Sequence, residues 1–115
     1  MSETFQILIA DDHPLVRGAL KQALSTELEN VSVLEAESLY EAIDQVEAHK
    51  GDIDLVLLDL HMPGMNGFTG LFTLRASYPD IPVSIVSASQ ELPVVRRSIE
   101  YGASAFVPKS APVDQ

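Results

Sequence analysis

The stretch that decides the fold is FQILIADDHPLVRGAL, residues 5–20. It begins with a short apolar run, continues with two aspartates, and from Pro14 onward places apolar residues three and four positions apart. Proline is favoured in the first turn of a helix, where its missing N–H costs nothing. The stretch therefore predicts a buried strand, an acidic turn and an amphipathic helix over 14–28.

The same alternation of strand and helix continues to the end of the chain. Further strands are predicted at 31–36, 54–60, 83–88 and 104–108, and further helices from 38, at 67–78 and at 91–101. The strongest strands are continuous apolar runs, which are typical of strands covered on both faces in a parallel sheet. Strands separated by helices of this length predict right-handed crossovers and a doubly wound α/β sheet.

Length, composition and charge exclude several classes of protein. A chain of 115 residues, 46% of them hydrophobic, suits one domain with a buried core rather than a disordered segment. It has no cysteine, which excludes disulfides, thiolate metal sites and cysteine nucleophiles. Its formal net charge of −10 is poorly suited to binding a nucleic acid backbone. Since the N-terminus matches neither a signal peptide nor a membrane span, we expect a cytoplasmic protein.

Polar side chains mark the carboxyl ends of four predicted strands. They are Asp11 and Asp12 after the first strand, Asp59 on the third, Ser87 on the fourth and Lys109 after the fifth. Ligands of such sheets bind at this edge. Three carboxylates about 5 Å apart repel by roughly 3 kcal/mol per pair at an effective dielectric of about 20. Such a cluster needs a divalent cation, retained protons or a lysine that reaches in, and oxygen ligands alone favour Mg²⁺ over zinc.

Each of these residues taken alone has a simpler interpretation. Asp12 or His13 could cap the first helix, and Asp59 could be a turn acid. Ser87 could cap the helix that follows it, and Lys109 could be a solvated surface residue. Their combination at one edge of a sheet favours a site over these separate interpretations.

The architecture and these positions resemble the receiver domain of bacterial two-component response regulators. The segments that carry the resemblance are ILIADDHPLVRGAL at 7–20, LVLLDLHMPGMNG at 55–67 and GASAFVPKS at 102–110. Asp12-His13-Pro14 is most similar to the NarL/LuxR-type transcriptional regulators. The resemblance implies a flavodoxin-like five-stranded parallel sheet of order 2-1-3-4-5, with the receiver domain over 5–110.

The resemblance also implies a phosphorylation site. Asp59 would be the phospho-acceptor, and its carboxylate would take the phosphoryl group from a phosphohistidine of a sensor histidine kinase. Asp11, Asp12, Asp59 and the backbone carbonyl of His61 would hold Mg²⁺. The protein would catalyse its own phosphorylation and would not be a turnover enzyme.

A conformational switch follows from the same resemblance. Lys109 would pair with Asp59 before transfer and with a phosphoryl oxygen afterwards. Ser87 would donate its hydroxyl to the phosphoryl group, and the rotamer of Phe106 would follow Ser87. The switch would control an output, expected to be transcription through a C-terminal DNA-binding domain that this sequence does not contain.

The chain departs from the receiver pattern after Lys109. Receiver domains continue into a fifth helix, whereas only six residues follow here, with Pro112 among them. We expect this helix to be missing, with 111–115 as the start of a linker or of that helix. An apolar strip beside the helix at 14–28 would then be covered in a homodimer or a swapped dimer. Ser110 stands where proline is common in receivers.

Other functions are less well supported by the sequence. One alternative is a pseudo-receiver, a protein-interaction module that is not phosphorylated. Such modules usually lack the residue equivalent to Asp59, to Lys109 or to one of the acidic pair, and this sequence has all of them. An aspartyl phosphatase needs a second aspartate at the position of His61, and a nucleotide-binding domain needs a glycine-rich loop after the first strand. Because no HxH or HExxH spacing is present, we expect neither His13 nor His61 to bind a metal through its ring.

Overall fold

The computed structural model describes residues 4–49, 52–60, 62, 68–87 and 92–108. These ranges contain five strands and four helices: β1 (Phe5–Ala10), α1 (Pro14–Glu27), β2 (Val31–Ala36), α2 (Leu39–Ala48), β3 (Leu55–Asp59), α3 (Thr69–Ser77), β4 (Val83–Ser87), α4 (Leu92–Glu100) and β5 (Ala105–Pro108). Every predicted element is present, and each predicted bound lies within two residues of the observed one. In the described part of the chain, no helix has the length and apolar character needed to cross a bilayer.

The strands form one parallel sheet in the order β2-β1-β3-β4-β5. This order confirms the doubly wound, flavodoxin-like fold. From β1 the chain first adds β2 on one side of the sheet and then adds β3, β4 and β5 on the other side. Because each crossover is right-handed, this change of side places α1 on one face of the sheet and α2, α3 and α4 on the other. The carboxyl ends of all five strands meet at a single edge.

The two faces of the sheet are covered to different extents. On one face, apolar residues of β1, β3 and β4 pack with α2 and α3 in a single buried cluster, which includes Leu8, Ala10, Ala42, Val46, Val56, Leu58, Leu71, Leu74, Val83 and Ile85. On α1 the one buried residue is Arg17, and Leu15 is 89% exposed. The apolar side of α1 is therefore only partly covered by the residues that the structure describes, and its burial in a dimer stays a prediction.

The start of α2 shows how local sequence fixes an element. Ser38 is the N-cap, and its side chain accepts a hydrogen bond of 3.1 Å from the backbone N–H of Glu41. The Glu41 carboxylate accepts from the N–H of Glu37 at 3.1 Å. The first bond is the one predicted for a capping box, whereas the second reaches the residue before the N-cap instead of the N–H of Ser38 itself.

Candidate metal centre

Strand register places two aspartates side by side at the carboxyl edge of the sheet. Ala10 of β1 is paired with Leu58 of β3, so the residues that follow them, Asp11 and Asp59, lie at the same level. Neighbouring strands are about 4.8 Å apart. Asp11 is 1% exposed and Asp59 is 0% exposed. The fold therefore buries two carboxylates next to each other.

Asp12 and His13 complete this cluster on its solvent side. Asp11, Asp12, His13 and Asp59 each offer one ligand atom, and these atoms all lie within 4.8 Å of one another. The side chains of Asp12 and His13 are 34% and 58% exposed. We call these four residues the metal centre; of their four side chains, those of Asp12 and His13 are exposed to solvent.

His13 is a member of the metal centre that the sequence analysis did not expect. Its backbone N–H donates to Asp11 Oδ1 at 2.8 Å, and its Nδ1 lies 2.9 Å from the same oxygen. The first contact is an Asx-turn, in which an aspartate binds the N–H two residues on, so the Asp-x-His spacing was a signal for it. His13 occupies the N-cap position of α1 without a side-chain cap bond. The capping interpretation of this histidine is therefore wrong.

Ser87 lies at the same edge of the sheet, one strand further along. Asp59 is paired with Val86 of β4, and the next residue, Ser87, is 0% exposed. Ser87 is the last residue of β4, the described part of α4 begins at Leu92, and the capping interpretation of Ser87 is not tested by the described residues. On the adjoining strand β5, Phe106 is half-buried and packs against the apolar core. These positions are compatible with the predicted switch pair, whose roles stay predictions.

Several residues of the predicted site lie outside the described ranges. They are His61, Lys109 and Ser110, together with residues 111–115. Pro108, which precedes Lys109, is paired with Ser87 in the sheet. The contributions predicted for the carbonyl of His61 and for the ammonium group of Lys109 stay predictions.

A buried arginine adjoins the metal centre and was also missed by the sequence analysis. Arg17 Nη1 donates to the backbone carbonyl of Asp11 at 2.7 Å, its Nε to Glu35 at 3.0 Å and its Nη2 to Glu37 at 3.3 Å. Lys21 Nζ lies 3.6 Å from Glu35. We call Arg17, Lys21, Glu35 and Glu37 the Arg17 cluster. It fixes the main chain at the start of the metal centre.

The donor set of the metal centre fits a divalent cation. Three carboxylates supply the hard oxygen ligands that Mg²⁺ prefers. Asp12 Oδ1 is buried and accepts no hydrogen bond from the residues that the structure describes. A buried carboxylate oxygen in that situation is costly unless a cation contacts it. Asp11, Asp12 and Asp59 are therefore suited to hold Mg²⁺.

Known proteins give an independent assignment. The family described as "Response regulator receiver domain" matches residues 7–115. The glycerol metabolism activator of Pseudomonas putida is 47% identical over 111 residues, which are 96% of this chain and 50% of that protein. The nitrate/nitrite response regulator NarP of Escherichia coli is 36% identical over 107 residues, 93% of this chain and 49% of that protein. The chain thus spans about half the length of these relatives.

A solved structure agrees with this assignment. The signal receiver domain of the response regulator NarL from Mycobacterium tuberculosis superposes with a TM-score of 0.84 at 32% identity, over 98% of this chain and 90% of that one. The two domains therefore have the same fold along almost the whole of this chain. The sequence resemblance to NarL/LuxR-type receivers is confirmed, and the chain belongs to the response regulator receiver domain family.

Proposed function

We propose that this receiver domain accepts a phosphoryl group on Asp59 from the phosphohistidine of a sensor histidine kinase. One observation carries the proposal: the fully buried Asp59 carboxylate lies at a strand end with ligand atoms of Asp11, Asp12 and His13 within 4.8 Å. A carboxylate is a competent nucleophile for phosphoryl transfer. Membership of the receiver family supports the same role.

The transfer exchanges one bond to phosphorus for another. A carboxylate oxygen of Asp59 attacks the phosphorus, the P–N bond of the phosphohistidine breaks, and the electron pair of that bond leaves with the imidazole nitrogen. The product is an acyl phosphate on Asp59. Such a reaction passes through a loose transition state, so it depends on positioning and on neutralised charge more than on acid–base groups.

The remaining residues of the site supply that neutralisation. Asp11, Asp12 and Asp59 would hold Mg²⁺ together with the backbone carbonyl of His61, and the bound ion would offset the charge of the phosphoryl oxygens. We assign the ammonium group of Lys109 to the same task. The buried position of Asp59 limits the access of water to the acyl phosphate.

Phosphorylation would then act as a switch. A dianionic group at Asp59 recruits the hydroxyl of Ser87 and the ammonium of Lys109 through charge-assisted hydrogen bonds. These contacts exist only in the phosphorylated state, so they favour one conformation of β4 and β5, including the position of Phe106.

The relatives support an inference about the output of this switch. We assign residues 5–110 to the receiver domain and infer that it acts in the cytoplasm. We infer that its conformation controls transcription through a DNA-binding domain outside this sequence, and that the active form is a dimer. The names of the relatives, an activator and a nitrate/nitrite response regulator, support a regulatory output.

The test is intact mass after treatment with acetyl phosphate and Mg²⁺. The wild-type chain should gain a single phosphoryl group, Asp59→Asn should gain none, and chelation of the metal should abolish the adduct. Asp44→Asn is the matched control, because Asp44 is exposed on α2. A folded wild-type chain without an adduct would favour a pseudo-receiver and contradict the proposal.

A further inference from the structure

We propose that the Nδ1 atom of His13 is a fourth ligand of the metal centre when a transition-metal dication such as Co²⁺ or Mn²⁺ binds there. This rests on the proposed function only in that both require a cation at Asp11, Asp12 and Asp59. It extends that function because an oxygen-only centre prefers hard ions, whereas an imidazole ligand increases the affinity for transition metals.

Distances from His13 Nδ1 to the carboxylates fit a shared ion. Nδ1 lies 2.9 Å from Asp11 Oδ1, 3.1 Å from Asp12 Oδ1 and 4.0 Å from Asp59 Oδ2. Octahedral ligands with bonds of about 2.1 Å are separated by about 3.0 Å when adjacent and about 4.2 Å when opposite. Nδ1 therefore has the spacing of a ligand adjacent to Asp11 and Asp12 and nearly opposite Asp59.

Hydrogen bonding accounts for only part of this arrangement. The contact of Nδ1 with Asp11 Oδ1 has the geometry of a hydrogen bond. Asp12 Oδ1 is as near as 3.1 Å to Nδ1, yet it is buried and accepts no hydrogen bond within the described ranges. The contact with Asp11 Oδ1 therefore does not account for the position of Asp12 Oδ1, which is as close to Nδ1 as a second ligand of a shared cation would be.

The main chain holds the ring in this position. The His13 N–H is bound to Asp11 Oδ1 at 2.8 Å, and the residue has an extended backbone with φ −96° and ψ 106° immediately before the helix. Little rearrangement is therefore needed for binding. A metal bound at Nδ1 would require the ring proton on Nε2 and would take the place of the contact between Nδ1 and Asp11 Oδ1.

The experiment compares two metals in one set of variants at neutral pH. Co²⁺ is titrated by its visible absorption and Mg²⁺ by calorimetry in the wild type, His13→Asn and His49→Asn. His49 is the matched control, because its ring nitrogen lies 2.8 Å from the carbonyl of Gln45 at the end of α2, on another element. Asparagine is a favoured N-cap residue, so α1 should still form in His13→Asn, as circular dichroism will check.

We expect His13→Asn to weaken Co²⁺ binding by about tenfold or more, because even groups that only orient a ligand are worth about 10- to 100-fold. Its Mg²⁺ affinity should change less than about twofold, since magnesium prefers oxygen ligands. The Co²⁺ spectrum should also lose its nitrogen-ligand contribution in this variant alone.

Three results would overturn the inference: equal losses for both metals, unchanged Co²⁺ binding, or the same loss in His49→Asn. A further variant, His61→Asn, tests the neighbouring histidine, and a Co²⁺-specific loss confined to it would also overturn the assignment to His13. None of these titrations requires a phosphoryl donor. The two proposals can therefore fail separately. If the wild-type chain is phosphorylated but His13→Asn binds Co²⁺ as tightly as the wild type, this inference is contradicted and the proposed function stands.

Discussion

Two groups of charged side chains meet at the carboxyl edge of the sheet, and they differ in charge balance. The metal centre has three carboxylates against one imidazole. The Arg17 cluster has two carboxylates against a guanidinium and an ammonium group. Asp11 joins the two groups. Its backbone carbonyl accepts a hydrogen bond from Arg17, and its carboxylate accepts one from the backbone N–H of His13.

This difference separates a structural group from a functional one. A buried guanidinium that reaches a carbonyl and two carboxylates has its charge compensated within the protein, so removing it is costly. A cluster whose described residues carry excess negative charge favours a cation, and the proposed function of the metal centre is to hold one. The comparison predicts that substitutions in the Arg17 cluster change stability, whereas substitutions in the metal centre change ion binding.

The largest effect is expected at Arg17. Arg17→Met keeps much of the apolar stem but removes the bonds that Arg17 donates to Glu35, Glu37 and the Asp11 carbonyl. Loss of one partner of a buried pair costs about 3–5 kcal/mol, and partial exposure of Glu35 reduces this to about 2–4 kcal/mol in the free energy of unfolding. Urea denaturation without Mg²⁺ measures it.

A control on α4 makes this measurement specific. Arg96 is exposed, so Arg96→Met should change the free energy of unfolding by less than about 0.5 kcal/mol. Equal stability of Arg17→Met and Arg96→Met would show that the Arg17 cluster does not stabilise the fold, and the comparison would fail.

The next effect is expected on Mg²⁺ binding at Asp12. Asp12→Asn removes one charge from the metal centre without changing its shape, and we expect the affinity for Mg²⁺ to fall by about 10- to 100-fold. Glu37→Gln, in the Arg17 cluster, should leave the affinity within about twofold. Calorimetric titration of both variants distinguishes them, and a similar loss in both would mean that only the overall charge of this edge matters.

Mg²⁺ itself should stabilise the wild-type chain. A ligand that binds only the folded state contributes about 1.4 kcal/mol at ten times its dissociation constant. The gain should be visible as a higher midpoint of urea unfolding and should be reversed by a chelator. In Asp12→Asn at the same Mg²⁺ concentration most of the gain should disappear. An undiminished gain there would place the stabilising ion elsewhere.

Much of the fold and part of the site could be predicted from the sequence, for one physical reason. Continuous apolar runs are typical of strands buried on both faces, and parallel strands bring their carboxyl ends to one edge. The proximity of Asp11 and Asp59 therefore followed from strand assignment alone. It did not depend on any detail of side-chain conformation.

Side-chain surroundings were less predictable because they depend on distant residues. Arg17 is buried on α1 because Glu35 and Glu37, at the end of β2, lie beside it. Phe72 on α3 is 50% exposed, and its ring centroid lies 4.7 Å from that of Tyr101 after α4. Helical periodicity predicts which side chains share a face of a helix. It does not show which neighbouring element will cover that face.

The smallest effects are expected when the two glutamates of the Arg17 cluster are substituted. Glu35 contacts both Arg17 at 3.0 Å and Lys21 at 3.6 Å and is 38% exposed, whereas Glu37 contacts Arg17 alone at 3.3 Å and is 61% exposed. Exposed ion pairs contribute about 0–1 kcal/mol, and the contribution decreases with salt. We expect Glu35→Gln to lower the free energy of unfolding by about 1 kcal/mol and Glu37→Gln by less than about 0.5 kcal/mol.

Salt dependence shows whether these losses come from charge. In high salt, where the Debye length falls to about 3 Å, the difference between Glu35→Gln and the wild type should shrink, because its contacts are partly solvated. The Arg17→Met loss should persist, since the bond from Arg17 to the Asp11 carbonyl is buried and does not depend on a second charge. If both losses vanished together in salt, Arg17 would act only through its carboxylate partners, and its bond to the Asp11 carbonyl would contribute little to the fold.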